Sequence, residues 1–153
     1  MKRLSFLLLC LGVLGCKSVQ PDNFPAGTYV RTGPDGTETG ELLIYPEPGS
    51  TALLHLSARR GAPSYNSGSI YARVNKNSKK ITLQESGDYL DCELLMELED
   101  DTITISTLKD ECGFGYGVRA DGAYKIKNRD IPQFFTNGEG TEIYFSETPP
   151  GDY

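Results

Sequence analysis

The feature that most constrains the fold of this chain is the alternation of apolar and polar side chains between residues 92 and 105. Four apolar residues occupy every second position of one predicted strand: Cys92, Leu94, Met96 and Leu98. The alternation resumes at Ile103 and Ile105. In a hairpin that turns at Asp100-Asp101, these two residues pair with Leu98 and Met96, respectively, on a single face. Turn and pattern therefore predict one β-hairpin in one register.

The same register brings the segment after Thr107 back past Cys92, within reach of Cys112. The following run, Gly113-Phe114-Gly115-Tyr116-Gly117, is too rich in glycine for a strand interior. It is typical of a bend, and we expect it to lead into a second hairpin over residues 118–124.

Short alternating segments and turn residues fill most of the remaining chain. Strands are predicted at 27–30, 40–45, 51–58, 69–74, around Ile81 and Leu83, and at 141–146, with one or two more within 117–126. Residues 128–135 fit no strand pattern and could form a short helical turn. No amphipathic helix of ten residues is apparent after the N-terminal segment. The predicted class is therefore all-β, a small antiparallel meander barrel or strongly curled sheet of about eight strands, with a β-sandwich as the alternative.

The N-terminus has the pattern of a signal peptide. Lys2-Arg3 precede an apolar run of eleven residues, Leu4–Leu14, which is well short of the roughly 20 residues needed to span a bilayer. The segment Val13-Leu14-Gly15-Cys16 resembles the bacterial lipobox. The resemblance implies that residues 1–15 are removed and that Cys16 carries acyl chains, which together give stable membrane attachment. The alternative is an ordinary secretory peptide in which Cys16 is incidental.

The lipobox resemblance also accounts for the cysteines. Cys10 leaves with the signal peptide and Cys16 is acylated, so Cys92 and Cys112 remain as a pair in an oxidising compartment. A disulfide between them would close a loop of about 20 residues and contribute about 3 kcal/mol in the chain-entropy model. A metal site would need more ligands than these two cysteines and His55, so we predict neither a metal nor a cofactor.

The predicted organisation is a signal peptide (1–15), a lipidated tether (16–23), one β-barrel-like domain (24–146) and a flexible tail (147–153). Residue 17 is lysine rather than aspartate, which by the lipoprotein rule argues against retention in an inner membrane. We therefore expect a lipid-anchored protein of the bacterial envelope, in the outer membrane and facing the periplasm or the cell surface.

The sequence lacks the residue sets of common catalytic sites. Its only histidine, His55, lies in mid-strand on the face opposite Ala52, where we expect it to point outward or to bond locally. There is no Gly-x-Ser-x-Gly elbow, and a single histidine cannot form a zinc pair of the His-Glu-x-x-His type. Carboxylate pairs for glycoside cleavage stay open, because sequence does not show which of the 21 acidic residues converge. We predict that the protein is not an enzyme.

Charge and aromatic residues indicate the kind of partner. The net charge is −6 and becomes about −8 once Lys2 and Arg3 are removed, which suits cationic partners or simply solubility. No basic stripe interleaved with aromatics suggests nucleic acid. The pair Phe134-Phe135 is expected either to plug one end of the barrel or to form an exposed contact patch.

The segment Ser67-Gly68-Ser69-Ile70-Tyr71 resembles the Ser-Gly-x-x-Tyr pattern of membrane-anchored and periplasmic lysozyme inhibitors, which are small β-barrel proteins of bacterial envelopes. The resemblance implies that Ser67 and Tyr71 contact the partner, with Lys79 or Lys80 as a basic contact. The alternative is that these are turn and strand residues without a binding role.

Three functions are compatible with these observations: a non-catalytic protein-binding module of the lysozyme-inhibitor kind, a lipocalin-like carrier of a small apolar ligand, and a structural or assembly lipoprotein. A large apolar cavity would favour the carrier. A filled core with a protruding loop at 59–67 would favour the binding module.

Overall fold

The structure is a computed structural model that describes residues 24–77, 80–86 and 91–151. The predicted signal peptide, the lipidated Cys16 with its tether, and Lys79 lie outside these residues, as does the side chain of Lys80. Within the described residues there is no helix long and apolar enough to cross a membrane.

The described residues form ten strands, and consecutive strands are antiparallel wherever they pair. In chain order the strands are β1 (Gly27–Thr32), β2 (Glu38–Pro46), β3 (Thr51–Arg59), β4 (Ser67–Asn75), β5 (Lys80–Ser86), β6 (Asp91–Glu99), β7 (Thr102–Asp110), β8 (Gly122–Asn128), β9 (Phe134–Thr136) and β10 (Glu142–Tyr144).

Eight of these strands form one antiparallel sheet in the order β4-β3-β2-β1-β8-β7-β6-β5. Within β1–β4 and within β5–β8 each strand pairs with the next one in the chain, and β1 pairs with β8, so the two halves of the meander meet. Strands β4 and β5, which follow one another in the chain, are the two edges. The result is a curled half-barrel, which confirms the predicted all-β meander rather than the β-sandwich.

The predicted hairpin of β6 and β7 is confirmed in its register. Leu98 pairs with Ile103 and Met96 with Ile105, and Asp100 adopts a positive φ of 52° in the turn, a conformation that aspartate tolerates better than most residues. Near the other end of the hairpin Cys92 lies opposite Asp110. Cys112 follows two residues later, and the two cysteines form a disulfide.

The inner face of the half-barrel is filled with side chains. The large fully buried residues are Tyr29, Tyr124, Leu42, Ile44, Leu54, Leu56, Ile70, Leu94, Met96, Ile103 and Ile105. The two tyrosine hydroxyls are satisfied internally, since Tyr29 donates to the Pro25 carbonyl and Tyr124 to the Ala120 carbonyl, both at 2.9 Å. Burial raises the pKa of Tyr124 to about 12.

A second, smaller core lies on the outer face of β2, β3 and β4. The hairpin of β9 and β10 covers this face, and its buried members are Leu43, Leu53, Tyr71, Phe135 and Phe145. Ile143 also packs there, beside Phe145. The helical turn considered for 128–135 is wrong, because Phe134–Thr136 pairs with β10 instead.

One further expectation is corrected. Residues 118–121 do not begin a hairpin, because this segment is held by distant partners: Arg31 donates to the carbonyls of Arg119 and Asp121 at 2.8 and 2.6 Å. Residues 147 and 148, expected in a flexible tail, are hydrogen-bonded. Both amides donate to the Tyr144 carbonyl, and the Thr148 carbonyl accepts from the Tyr71 hydroxyl at 2.6 Å.

Candidate functional site

Two loops meet at one end of the half-barrel, and we call them the paired loops. One (residues 60–66) connects β3 to β4, and the other (residues 113–118) lies between β7 and β8. The Asn66 amide donates to the Tyr116 carbonyl at 2.8 Å, and the Gly115 backbone amide donates to the Ser67 carbonyl at 3.1 Å. These bonds hold the two loops together across about 50 residues of chain.

Packing at the base of the paired loops limits their movement. Phe114 lies directly over Gly68, where an added Cβ would be 2.3 Å from the phenylalanine ring. The disulfide fixes the start of the second loop to β6. In the first loop, the Arg60 amide donates to the Asn66 carbonyl at 2.8 Å. The loops are thus fixed by hydrogen bonds, a glycine contact and a covalent bond.

The paired loops present two exposed tyrosines to solvent. Tyr65 is 74% exposed and Tyr116 is 88% exposed. Tyr65 has a φ of 51°, which is uncommon for a bulky residue and is found preferentially where surrounding structure imposes it. The Arg60 guanidinium lies against Gly117, since a Cβ there would be 2.4 Å from Nη1. One end of the molecule therefore displays two aromatic rings and one guanidinium.

A polar cleft of about 570 Å³ lies beside the paired loops, on the outer face of the sheet. Its floor is a row of cross-strand partners, Glu41, Ser57 and Ser69. Its sides are formed by Arg59 and by residues 135–138 of the β9–β10 hairpin. The hairpin covers only part of the outer face, and the cleft lies between its edge and the uncovered part of the strands.

The charged groups in the cleft and beside it are partly paired. Lys127 Nζ lies 2.7 Å from Glu38 Oε1, and Arg59 Nε donates to the Glu38 carbonyl at 2.8 Å. The Glu41 carboxylate makes no hydrogen bond or ion pair with any described residue. Burial raises the pKa of Glu41, and Lys127 and Arg59 act in the opposite direction.

His55 lies at the inner end of the cleft and is buried, contrary to the expectation that it points to solvent or bonds locally. It is 3% exposed, and its ring stacks on Phe135 with a centroid distance of 3.8 Å and an interplanar angle of 11°. Neither ring nitrogen is hydrogen-bonded to a described residue. Desolvation lowers the pKa of His55 to about 4, so the imidazole is neutral at physiological pH.

The structure separates the two residues suggested by the lysozyme-inhibitor resemblance. Ser67 is exposed at the start of β4, lines the cleft and adjoins the paired loops. Tyr71 is 6% exposed and belongs to the outer core, where its hydroxyl is bonded to Thr148. Tyr71 is therefore a packing residue beneath the hairpin of β9 and β10, whereas Ser67 is exposed to solvent at the edge of the cleft.

The pair Phe134-Phe135 is also divided. Phe135 is buried over His55, and Phe134 is 40% exposed beside Tyr144.

Two residues of the candidate site, Tyr116 in the paired loops and Glu41 in the cleft, were not predicted as site residues. An aromatic residue between two glycines was a signal for Tyr116, whereas nothing local distinguishes Glu41 from other acidic strand residues.

The described part of the chain contains no cluster of three or more histidine, cysteine, aspartate or glutamate side chains placed to hold a metal ion.

In comparisons with known proteins, no family model matches the chain, and no curated protein or solved structure gives a significant match. Function is therefore inferred from the side chains and their geometry.

Proposed function

We propose that this protein is a non-catalytic protein-binding module of the bacterial envelope, anchored through an acylated Cys16 and similar in action to the lysozyme inhibitors. The observation that carries the proposal is the pair of interlocked loops that display Tyr65, Tyr116 and Arg60 at one end of the half-barrel.

The chemistry of these loops suits protein recognition. Tyrosine and arginine are enriched among the residues that contribute most to protein–protein affinity. A tyrosine offers a large contact area with few rotatable bonds, so little entropy is lost when it binds. Because the paired loops are cross-bonded before binding, they also avoid much of the cost of loop ordering.

The position of the tether favours the same assignment. Phe24, the first described residue, donates its amide to the carbonyl of Lys76 just after β4. The paired loops adjoin Ser67, at the other end of β4, nine strand residues away. At about 3.3 Å per residue this is roughly 30 Å. A lipid anchor before Phe24 would therefore leave the paired loops directed away from the membrane.

The interior argues against a carrier of a small apolar ligand. The inward residues, such as Leu42, Leu94 and Met96, are fully buried and pack into one core. The large cleft lies outside this core and is lined mainly by polar residues. An apolar ligand would desolvate these groups without satisfying them.

The negative net charge of the chain suits a basic partner such as a lysozyme. The acidic chain would attract a cationic protein and speed its association. Ser67, on the pattern that resembles the lysozyme inhibitors, lies beside the paired loops. The protein would then act in the outer membrane, facing the periplasm or the cell surface.

The test is binding and inhibition with the mature protein carrying Cys16→Ser, presented to a panel of lysozymes. We expect a lysozyme to be retained and its activity to fall at stoichiometric protein. Tyr65→Ala and Tyr116→Ala should each weaken binding at least about tenfold, as for interface residues of high energy. Tyr144→Ala, a half-exposed tyrosine on the β9–β10 hairpin, is the matched control and should bind as the wild type does.

Absence of binding to every lysozyme would remove the inhibitor assignment. The same tyrosine variants should then be compared with the wild type for capture of other envelope proteins. A captured protein that is lost equally with Tyr65→Ala and with Tyr144→Ala would contradict the role of the paired loops.

A further inference from the structure

The polar cleft between β2–β4 and the β9–β10 hairpin is a site that the proposed function does not use, apart from Ser67 at its edge. We propose that it binds a neutral, hydroxyl-rich ligand of the saccharide class, with Glu41, Ser57 and Ser69 as the principal contacts.

The size of the cleft suits such a ligand. Its volume of about 570 Å³ falls within the range of roughly 300–1,000 Å³ found for small-molecule pockets. The floor is provided by three adjacent strands, which are rigid elements. Its contact groups are therefore held at fixed spacing before a ligand arrives.

The balance of charge favours a neutral ligand. Two carboxylates, of Glu38 and Glu41, lie near two cations, of Arg59 and Lys127, and Glu38 is already paired with Lys127 at 2.7 Å. An anionic ligand would be repelled by the Glu41 carboxylate. A strongly cationic ligand would meet the opposing charges of Arg59 and Lys127.

The unused hydrogen-bonding groups favour hydroxyls in particular. The carboxylate of Glu41 can only accept, and it has no hydrogen-bond partner among the described residues. The Oδ1 atom of Asn137 already accepts from the backbone amides of Glu139 and Thr141. The group of this side chain that remains for a ligand is its NH₂, which can only donate. A hydroxyl donates one hydrogen bond and accepts two. Adjacent hydroxyls on one ring can therefore serve both kinds of group at once.

The two serines of the cleft floor offer short side chains with space around them for contact with a ligand. Ser57 and Ser69 are direct cross-strand partners, and neither hydroxyl is bonded to another described residue. Small side chains between Glu41 and the hairpin leave the floor open. At the inner end His55 carries two further nitrogens that have no hydrogen-bond partner among the described residues.

The experiment is a titration of the isotopically labelled Cys16→Ser protein with glucose, galactose, N-acetylglucosamine and their disaccharides, monitored by amide chemical shifts. We expect saturable shifts at Ser57, Ser69 and Asn137 with at least one saccharide. Glu41→Gln and Ser57→Ala should each weaken that affinity by about tenfold, the usual effect of removing a hydrogen bond to a charged or closely fitted group. Glu139→Gln, an exposed residue outside the cleft lining, is the matched control.

Lysine and acetate serve as cationic and anionic comparators. The proposal is overturned if no saccharide produces saturable shifts, if only a comparator does, or if the shifted residues lie outside the cleft. Tyr65→Ala and Tyr116→Ala should retain saccharide binding. Failure of this proposal is thus distinguishable from failure of the protein-binding assignment.

Discussion

The burial of His55 shows how the state of one residue depends on a distant part of the chain. It lies in mid-strand between Leu54 and Leu56, and its face of β3 is the outer face of the half-barrel. Phe135, which is 80 residues later in the chain, stacks on its ring and removes it from solvent. A neutral imidazole tolerates this environment, whereas an imidazolium does not.

This leads to a prediction about pH. The pKa of His55 is lowered from 6.5 to about 4 in the folded protein. Between these values the unfolded chain binds more protons than the folded chain, so the free energy of unfolding falls as the pH falls. The contribution of His55 to the free energy of unfolding is complete above about pH 6.5. About 2 kcal/mol of this free energy should be lost between pH 7.5 and pH 5.

The measurement is urea unfolding of the wild type and of His55→Leu at both pH values. The difference in stability between the two proteins should shift by this amount, because other groups titrate equally in both. An unchanged difference would show that His55 is accessible to protons in the folded state.

At the scale of secondary-structure elements, the β9–β10 hairpin is the element that builds the site. It contributes Phe135 and Phe145 to the outer core and residues 136–138 to the side of the cleft. Because it has three residues per strand, its own ladder contributes little, and packing against β2–β4 must hold it in place.

Substitution of the two adjacent phenylalanines tests this role. Phe135→Ala should cost about 3–5 kcal/mol of stability, the range for a buried aromatic residue. Phe134→Ala is the matched control and should cost much less, because Phe134 is 40% exposed and Phe135 only 3%. Denaturant unfolding of both variants gives the comparison, and equal losses would contradict the proposed packing.

The same variant has a second expected effect. Removal of the Phe135 ring uncovers His55, so the pKa of His55 should rise toward its ordinary value in Phe135→Ala. A nuclear magnetic resonance titration of the single histidine measures this directly. In Phe134→Ala the titration should be unchanged.

At the scale of the whole molecule, Phe24 and the paired loops lie at opposite ends of the sheet. Strands β1 and β8 pair, while the paired loops lie at the end of the sheet away from Phe24. The predicted tether, residues 16–23, could span at most about 28 Å if fully extended. The domain would therefore stay close to the membrane, with the paired loops on its far side.

Membrane fractionation tests the anchor. Cys16→Ser should move the protein from the membrane fraction to the soluble fraction, since the attachment is expected to come from acyl chains. Cys10→Ser is the control and should leave the protein in the membrane fraction. A Cys16→Ser protein that still fractionates with membrane would contradict the lipobox prediction.

Local pattern determined much of the fold. The hairpin of β6 and β7 was predictable to its register, because alternation and turn chemistry act over neighbouring residues and a slip of one residue would expose every apolar side chain. The Cys92–Cys112 disulfide followed from that register together with the expected fates of Cys10 and Cys16. The all-β meander followed from short strands joined by turn residues.

Only the tertiary structure decided which outward residues are buried and which surfaces come together. The cover over His55, the contact between the loops at 60–66 and 113–118, and the isolation of Glu41 in the cleft all join segments that are far apart in the chain. Alternation assigns a residue to one face of a strand, but it cannot show whether that face is covered. That depends on packing between distant elements, which leaves no local periodic signal in the sequence.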